Sequence, residues 1–298
     1  MVSSMREVSH WDDAPSETSD VGPIANTETW LSGAVGCRRL GVSRYEVPPG
    51  KAASPQHAED EEVFYVLSGS GWSVQENGCF AIGPGDVVFY PAFEIAHTVV
   101  AGDDGLSFIA FGTSDPVRGI TRFPRIDRLR IIDRLVPGEH AHQWEVEAQL
   151  PPVEIKDPPD PRPETIVAAA DVPQSPFGPD ARARWCRPAL GMRGISLTFA
   201  ELGPGAEGAP PHCHSMEEEL FVVLAGDGVA LLGDDEHPVR EGSIVGRPPA
   251  SGVAHAFRAG DEGMTVAMFS DKHGSDMTYY PRTGEVAIRG LGVRFTPS

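Results

Sequence analysis

The sequence predicts an all-β fold in which one unit is built twice. Three observations carry this. First, the 298 residues hold 33 glycines and 28 prolines. That composition suits many short strands joined by turns rather than long helices. Second, the apolar residues fall in short runs rich in branched and aromatic side chains, such as Val63-Phe64-Tyr65-Val66-Leu67 and Leu220-Phe221-Val222-Val223-Leu224. Each run is closed by a glycine turn, Gly69-Ser70-Gly71 and Gly226-Asp227-Gly228, as a buried strand should be. Third, landmarks recur at one offset. Glu62 and Glu219, Gly69 and Gly226, Gly85 and Gly242, and Pro91 and Pro248 stand 157 residues apart, and His97 and His255 stand 158 apart. Repetition at domain length points to duplication of one fold.

Taken in order, residues 1–30 form a polar arm with Trp11 and Trp30 as anchors. Strands are predicted over Val42 to Val47, Val63 to Leu67, Phe80 to Ile82, the run after Gly85, and Leu106 to Phe111. Residues 121–165 differ in character. Arg118 to Arg134 is basic and mixed, and the segment from Pro151 to Pro163 is too proline-rich for a central strand or helix. It reads as an extended linker. His140-Ala141-His142 places two histidines two apart, but no apolar strand follows, so it reads as surface. The second unit then runs over 166–298, and Tyr279 to Arg289 has a strand-and-turn pattern that packs back onto it.

Composition excludes several functions. The formal net charge is −19, which argues against nucleic-acid or anionic-membrane partners, because phosphate binding needs basic surface. No stretch approaches the ~20 apolar residues of a membrane span. The N-terminal residues are polar and acidic, without the apolar segment of a signal peptide, so a cytoplasmic location is expected. Cys37, Cys79, Cys186 and Cys213 form no Cys-x-x-Cys pair and read as free thiols.

The chemistry concentrates at Pro211-His212-Cys213-His214-Ser215-Met216-Glu217-Glu218-Glu219. In a strand, alternate residues share a face, so His212 and His214 project together and Cys213 points away. Glu219 stands at the mouth of an apolar run, where a carboxylate is unfavourable unless paired or bound to a metal. Imidazoles with one carboxylate suit zinc or mid-row metals such as iron.

Gly205, His212, His214, Glu219 and Gly226 resemble the first motif of the cupin superfamily, with one extra residue before His212. Gly242, Pro248, Gly252 and His255 resemble its second motif, with two extra residues after Pro248 and Ala259 in place of the final asparagine. The resemblance implies two tandem jelly-roll barrels, a bicupin like those of actinobacteria. Domain 1 spans 31–120 and domain 2 spans 166–298, with the linker at 121–165. It also implies a divalent metal on His212, His214, Glu219 and His255, inside the second barrel.

The first half is shorter. Counted from Gly50, His57 falls on His212; counted from Glu62, it falls on His214. Either Glu59 replaces the second histidine or Pro55 replaces the first. His57, Glu62 and His97 remain as ligands of a second site. The resemblance implies a metal-dependent oxidoreductase of dioxygenase type acting on a small organic molecule, with iron the first choice and zinc, manganese or nickel the others. The alternatives are an isomerase or decarboxylase, or a non-catalytic binding protein. Arg247, Arg258, Tyr279 and Tyr280 are candidates to line the mouth. Exposed sheet edges need covering, which predicts a homodimer.

Overall fold

The computed structural model describes residues 7–113, 119–131, 134–136 and 142–297. Strands dominate, and among the described residues no helix exceeds five residues. Among the described residues no helix is long and apolar enough to cross a membrane. Two compact units form. One comprises Pro15–Trp30 and Gly41–Asp171, the other Met1–Ala14, Leu31–Leu40 and Val172–Ser298.

The first unit is a jelly roll built around two long antiparallel strands, Glu62–Gln75 and His97–Thr113. Asp86–Tyr90 and Ile166–Ala168 extend the sheet on one side; Leu40–Val47, Ile24–Trp30 and Ser16–Val21 extend it on the other. The register of the long pair shifts between Val66 and Gly71, so both strands turn a corner and serve both halves of the barrel. Gly69 makes the corner, with φ +74°. A Cβ there would lie 2.1 Å from the Gly105 carbonyl oxygen, so only glycine fits. Alternation then sends Phe64, Val66 and Phe108 into one buried cluster. Full burial of each such side chain contributes roughly 1.5–3 kcal/mol.

The second unit repeats the plan. Glu219–Leu232 pairs with His255–Asp271 through a matching shift. Ser243–Arg247 and Val8–His10 lie to one side; Ile195–Leu202, Ala181–Trp185 and Gln174–Gly178 lie to the other. Gly226 takes φ +76°, and a Cβ there would lie 2.1 Å from the Gly263 carbonyl oxygen. Phe221, Val223 and Val266 fill the core. A small antiparallel meander accompanies each barrel. In the first unit it is Ile120–Phe123, Arg128–Ile131 and Arg134–Val136. In the second it is Cys213–His214, Met277–Tyr280, Glu285–Ile288 and Val293–Phe295.

This division differs from the expected boundaries at 30, 120 and 165. The N-terminal strand Val8–His10 pairs with Ser243–Arg247, so the arm begins in the second unit and continues as strands of the first. The segment expected as a linker is part of the first unit. Its proline stretch is irregular, yet Val153 and Ile155 pack on the apolar group around Ile24 and Val74. Arg162 donates to both Asp86 carboxylate oxygens at 2.7 and 2.6 Å. His140 lies outside the described residues, and His142 precedes the short helix Gln143–Glu147.

Candidate metal centre

In the second unit the site is assembled by strand pairing. His212 bridges His255 in antiparallel register, and Cys213–His214 pairs with Met277–Tyr280. Glu219 opens the long strand behind them. One ligand atom each from His212, Glu219 and His255 lies within 4.8 Å of the other two, and His214, Glu217 and Glu219 form a second such trio. Glu219 is common to both. Its Oε2 lies 3.0 Å from His255 Nε2 and 3.6 Å from His214 Nε2. Cys213 belongs to neither trio, as strand alternation requires.

The ring tautomers are set from outside the cluster. His212 Nδ1 donates to the Pro210 carbonyl at 2.8 Å. His214 Nδ1 donates to Asp276 Oδ2 at 2.7 Å. With Nδ1 protonated, each Nε2 keeps its lone pair and faces inward, which is how metal-binding histidines are held. Glu219 Oε2, His214 Nε2 and His255 Nε2 are buried and make no hydrogen bond. Buried polar atoms are nearly always satisfied, so this convergence of lone pairs fits a bound cation.

Electrostatics agree. Burial opposes the charge on Glu219, but His214, His255 and His212 around it hold the carboxyl well below its usual range. Burial and the neighbouring His255 push His212 down to about 4. Burial also opposes a charge on His214, yet Glu219 and Asp276 raise it. Asp276 is fully buried. It also accepts from Met216 N at 2.9 Å and Glu217 N at 3.3 Å; burial opposes its charge, but His214 and these two backbone donors outweigh burial and hold its carboxyl below its usual range.

The first unit carries a reduced version. His57 bridges His97 as His212 bridges His255, and Ala58 bridges Arg122 as Cys213 pairs with Tyr279. Glu59 therefore stands where His214 stands, and the two missing residues lie between Glu59 and Glu62. Pro55 serves instead as backbone acceptor for His57 Nδ1, at 2.9 Å. His57, Glu62 and His97 form one trio, with Glu62 Oε2 3.5 Å from His57 Nε2 and 3.0 Å from His97 Nε2. Glu62 Oε2 and His97 Nε2 make no hydrogen bond. Glu59 is outside the trio and accepts from Thr121 Oγ1 at 2.9 Å. Burial opposes the charge on Glu62, and the two histidines hold it ionised. Burial would lower His57, but Glu62 and Glu59 raise it to about 9, whereas burial wins at His97 and lowers it. One carboxylate between two rings supports one proton.

The His212–Glu219–His255 cluster lines a cavity of about 170 Å³ in the second unit, walled by Phe221, Phe257, Val266 and Met268. Of the four residues expected at the mouth, Tyr280 lines this cavity. Arg247 is buried against Glu7, and Arg258 pairs with Glu236. Lys272 and Arg289 line it instead, and both contact the buried carboxylate of Glu217, at 2.6 and 3.4 Å. Sequence reasoning missed these two and Asp276. No spacing rule ties residue 276 to residue 214; only the pairing of the meander brings them together.

The family model for the cupin domain matches residues 43–111 and 198–270. No curated protein sequence matches the chain. Among solved structures, the formate complex of Lactobacillus farciminis oxalate decarboxylase is similar with a TM-score of 0.62. It is 17% identical, and the match covers 92% of this chain and 87% of that one. Oxalate decarboxylase from Bacillus subtilis at pH 4.6 gives a TM-score of 0.61 at 16% identity, covering 93% and 79%. A study of the Mn(II) centres of the Bacillus subtilis enzyme gives 0.58 at 16% identity, covering 93% and 80%. At such identities the likeness is one of fold. With the cupin domain matched twice, and with the barrels repeating corner for corner, the chain is a bicupin of the cupin superfamily.

Proposed function

We propose that the chain is a metal-dependent enzyme of decarboxylase or isomerase type acting on a small organic acid. Its principal metal is held by His212, His214, Glu219 and His255, with manganese ahead of iron. The observation that carries this is the convergence of buried, unpartnered ligand atoms on Glu219, at the wall of a cavity that also holds Lys272 and Arg289. The dioxygenase reading moves to second place. The cationic wall favours an acid as substrate, and the similar structures are oxalate decarboxylases, one studied for its Mn(II) centres.

A bound divalent metal would act as a Lewis acid on a carboxylate or carbonyl oxygen. Lys272 and Arg289 draw an acid toward the cavity. Ser196, Thr198 and Ser270 offer hydroxyls along the same wall. Phe221, Phe257, Val266 and Met268 limit water, and a dry wall favours converting a charged carboxylate into neutral carbon dioxide. His57, Glu62 and His97 make a second, weaker site, with Glu59 nearby. A homodimer is part of the proposal, because both meanders expose apolar side chains, including Leu129 and Ile131 in one and Leu291 and Phe295 in the other.

The test is metal analysis of the purified protein, followed by a panel of small mono-, di- and keto-acids assayed for carbon dioxide release and oxygen uptake. Turnover that stops on chelation, returns with manganese and consumes no stoichiometric oxygen supports the proposal. Stoichiometric oxygen uptake restored by ferrous iron would return the dioxygenase reading to first place. Ligand affinity without turnover under any metal would leave a binding protein.

A further inference from the structure

We propose that the ligand of the second barrel carries two acidic groups, one reaching the Glu219 cluster and the other held in a basic vestibule at Lys272, Arg289, Arg187 and Arg193. The inference rests on the reading of the second barrel as the metal centre and names the substrate class that reading leaves open.

Two concavities of the second unit meet. The inner one is the cavity of about 170 Å³ beside His212, Glu219 and His255. The outer one, of about 430 Å³, is lined by Arg187, Arg193, Lys272, His273 and Arg289, with Glu217 as its carboxylate. Trp185, Ser196, Lys272 and Arg289 line both, so one molecule can span them.

The charge there runs against the rest of the chain. The protein carries a formal net charge of −19, yet this concavity sets four Lys and Arg residues against Glu217. Glu217 is buried and already engaged, 2.6 Å from Lys272 Nζ and 3.4 Å from Arg289 Nη1. One carboxylate cannot neutralise two cations, and Arg187 adds to the excess. Arg187 and Arg193 are both exposed, and Arg187 Nη2 donates to the Arg193 carbonyl at 3.1 Å, which ties the two residues together at the rim. The matching cavity of the first unit has the opposite sign: Glu28, Glu59 and Glu62 line it against Arg130. The cations Lys272 and Arg289 at the inner cavity of the second barrel thus have no counterpart pair in the corresponding cavity of the first. Guanidinium forks suit carboxylate and phosphate alike, and a local positive field in an acidic protein steers an anion to this mouth.

The test uses the full-length protein loaded with manganese and three probes in calorimetry: glutarate, butyrate as the same chain without its second carboxylate, and 2-phosphoglycolate. Glutarate or 2-phosphoglycolate should bind at least tenfold more tightly than butyrate, and the tighter of the two identifies the acidic group as carboxylate or phosphate. Arg187→Gln and Arg193→Gln, both at exposed positions, should each weaken that probe three- to tenfold and leave butyrate unchanged. Equal affinities for all three probes, absence of binding by any of them, or a preference untouched in the double variant would overturn the inference. Repeating the titration after chelation separates the two readings. If the metal assignment is wrong, affinity is unchanged by chelation but still depends on the arginines. If the vestibule is wrong, affinity depends on the metal but not on the arginines.

Discussion

Replacing Asp276 by asparagine should weaken metal binding in the second barrel by 10- to 100-fold. Asp276 is not itself one of the proposed ligands and acts through His214. It accepts the Nδ1 proton of His214 at 2.7 Å in a fully buried setting, and so fixes which nitrogen of that ring faces Glu219. Among the other cluster histidines, His57, His97 and His212 donate to backbone carbonyls. A full negative charge behind His214 makes it the stronger electron donor. Losing such an outer partner typically lowers metal affinity about 10–100-fold, or about 1.4–2.7 kcal/mol. Asparagine keeps the shape and can still accept, so the loss should come from charge rather than collapse. The assay is metal titration against a competing chelator, with thermal stability of the metal-free variant as a control. A cycle with His214→Ala isolates the route: in that background Asp276→Asn should change affinity little further. An equal loss with and without His214 would refute the argument.

Four further outcomes are expected. His214→Ala should remove most bound metal, His57→Ala less than half, and Cys213→Ser none, by metal analysis; the reverse order of the two histidines would put the working site in the first barrel. Occupancy of the first barrel, measured in His214→Ala protein after dialysis, should rise with pH up to about 9, because a metal there must displace the proton that Glu62 and Glu59 hold on His57; a flat profile from pH 6 to 9 contradicts this. In metal-free protein the same raised value contributes stability that is fully present below the ordinary histidine range near 6.5 and is lost as pH rises through about 9. Glu218→Ala should destabilise the second unit by about 3 kcal/mol in urea unfolding, since buried donors left unpaired cost about 1–3 kcal/mol each and this carboxylate accepts from the backbone N–H of Arg38, Arg39 and Leu40 at 2.7–3.1 Å. A loss below about 1 kcal/mol would mean that water replaces it.

What could be read from the sequence was what is local or periodic. Strand alternation placed His212 and His214 on one face and set Cys213 apart. The 157-residue offset between Glu62 and Glu219 revealed the duplication, because the corner at Gly69 and Gly226 tolerates no other residue in either copy. What could not be read was set by pairing across long separations. The choice between Pro55 and Glu59 needed the His57–His97 bridge. Asp276, Lys272 and Arg289 reach the site through the C-terminal meander and the end of the last long strand. Prolines ruled out regular structure between residues 151 and 163, but composition could not reveal that the segment is strapped to the barrel through Arg162 and Asp86.

The strand Val8–His10 has a consequence for how the molecule is made. Its partner, Ser243–Arg247, is synthesised more than two hundred residues later, and Leu31–Leu40 likewise belongs with Val172–Ser298. The first barrel's residues emerge between these two halves of a single unit. On the ribosome, the first barrel has everything it needs once Asp171 has left the tunnel. The earliest residues must wait, unpaired, until the final third of the chain appears. Such distant closure is slow, and a waiting edge strand is open to pairing with a neighbour. A cut between the two family-matched segments would consequently strip the second barrel of an edge strand and of the backbone donors that hold Glu218, one residue before Glu219.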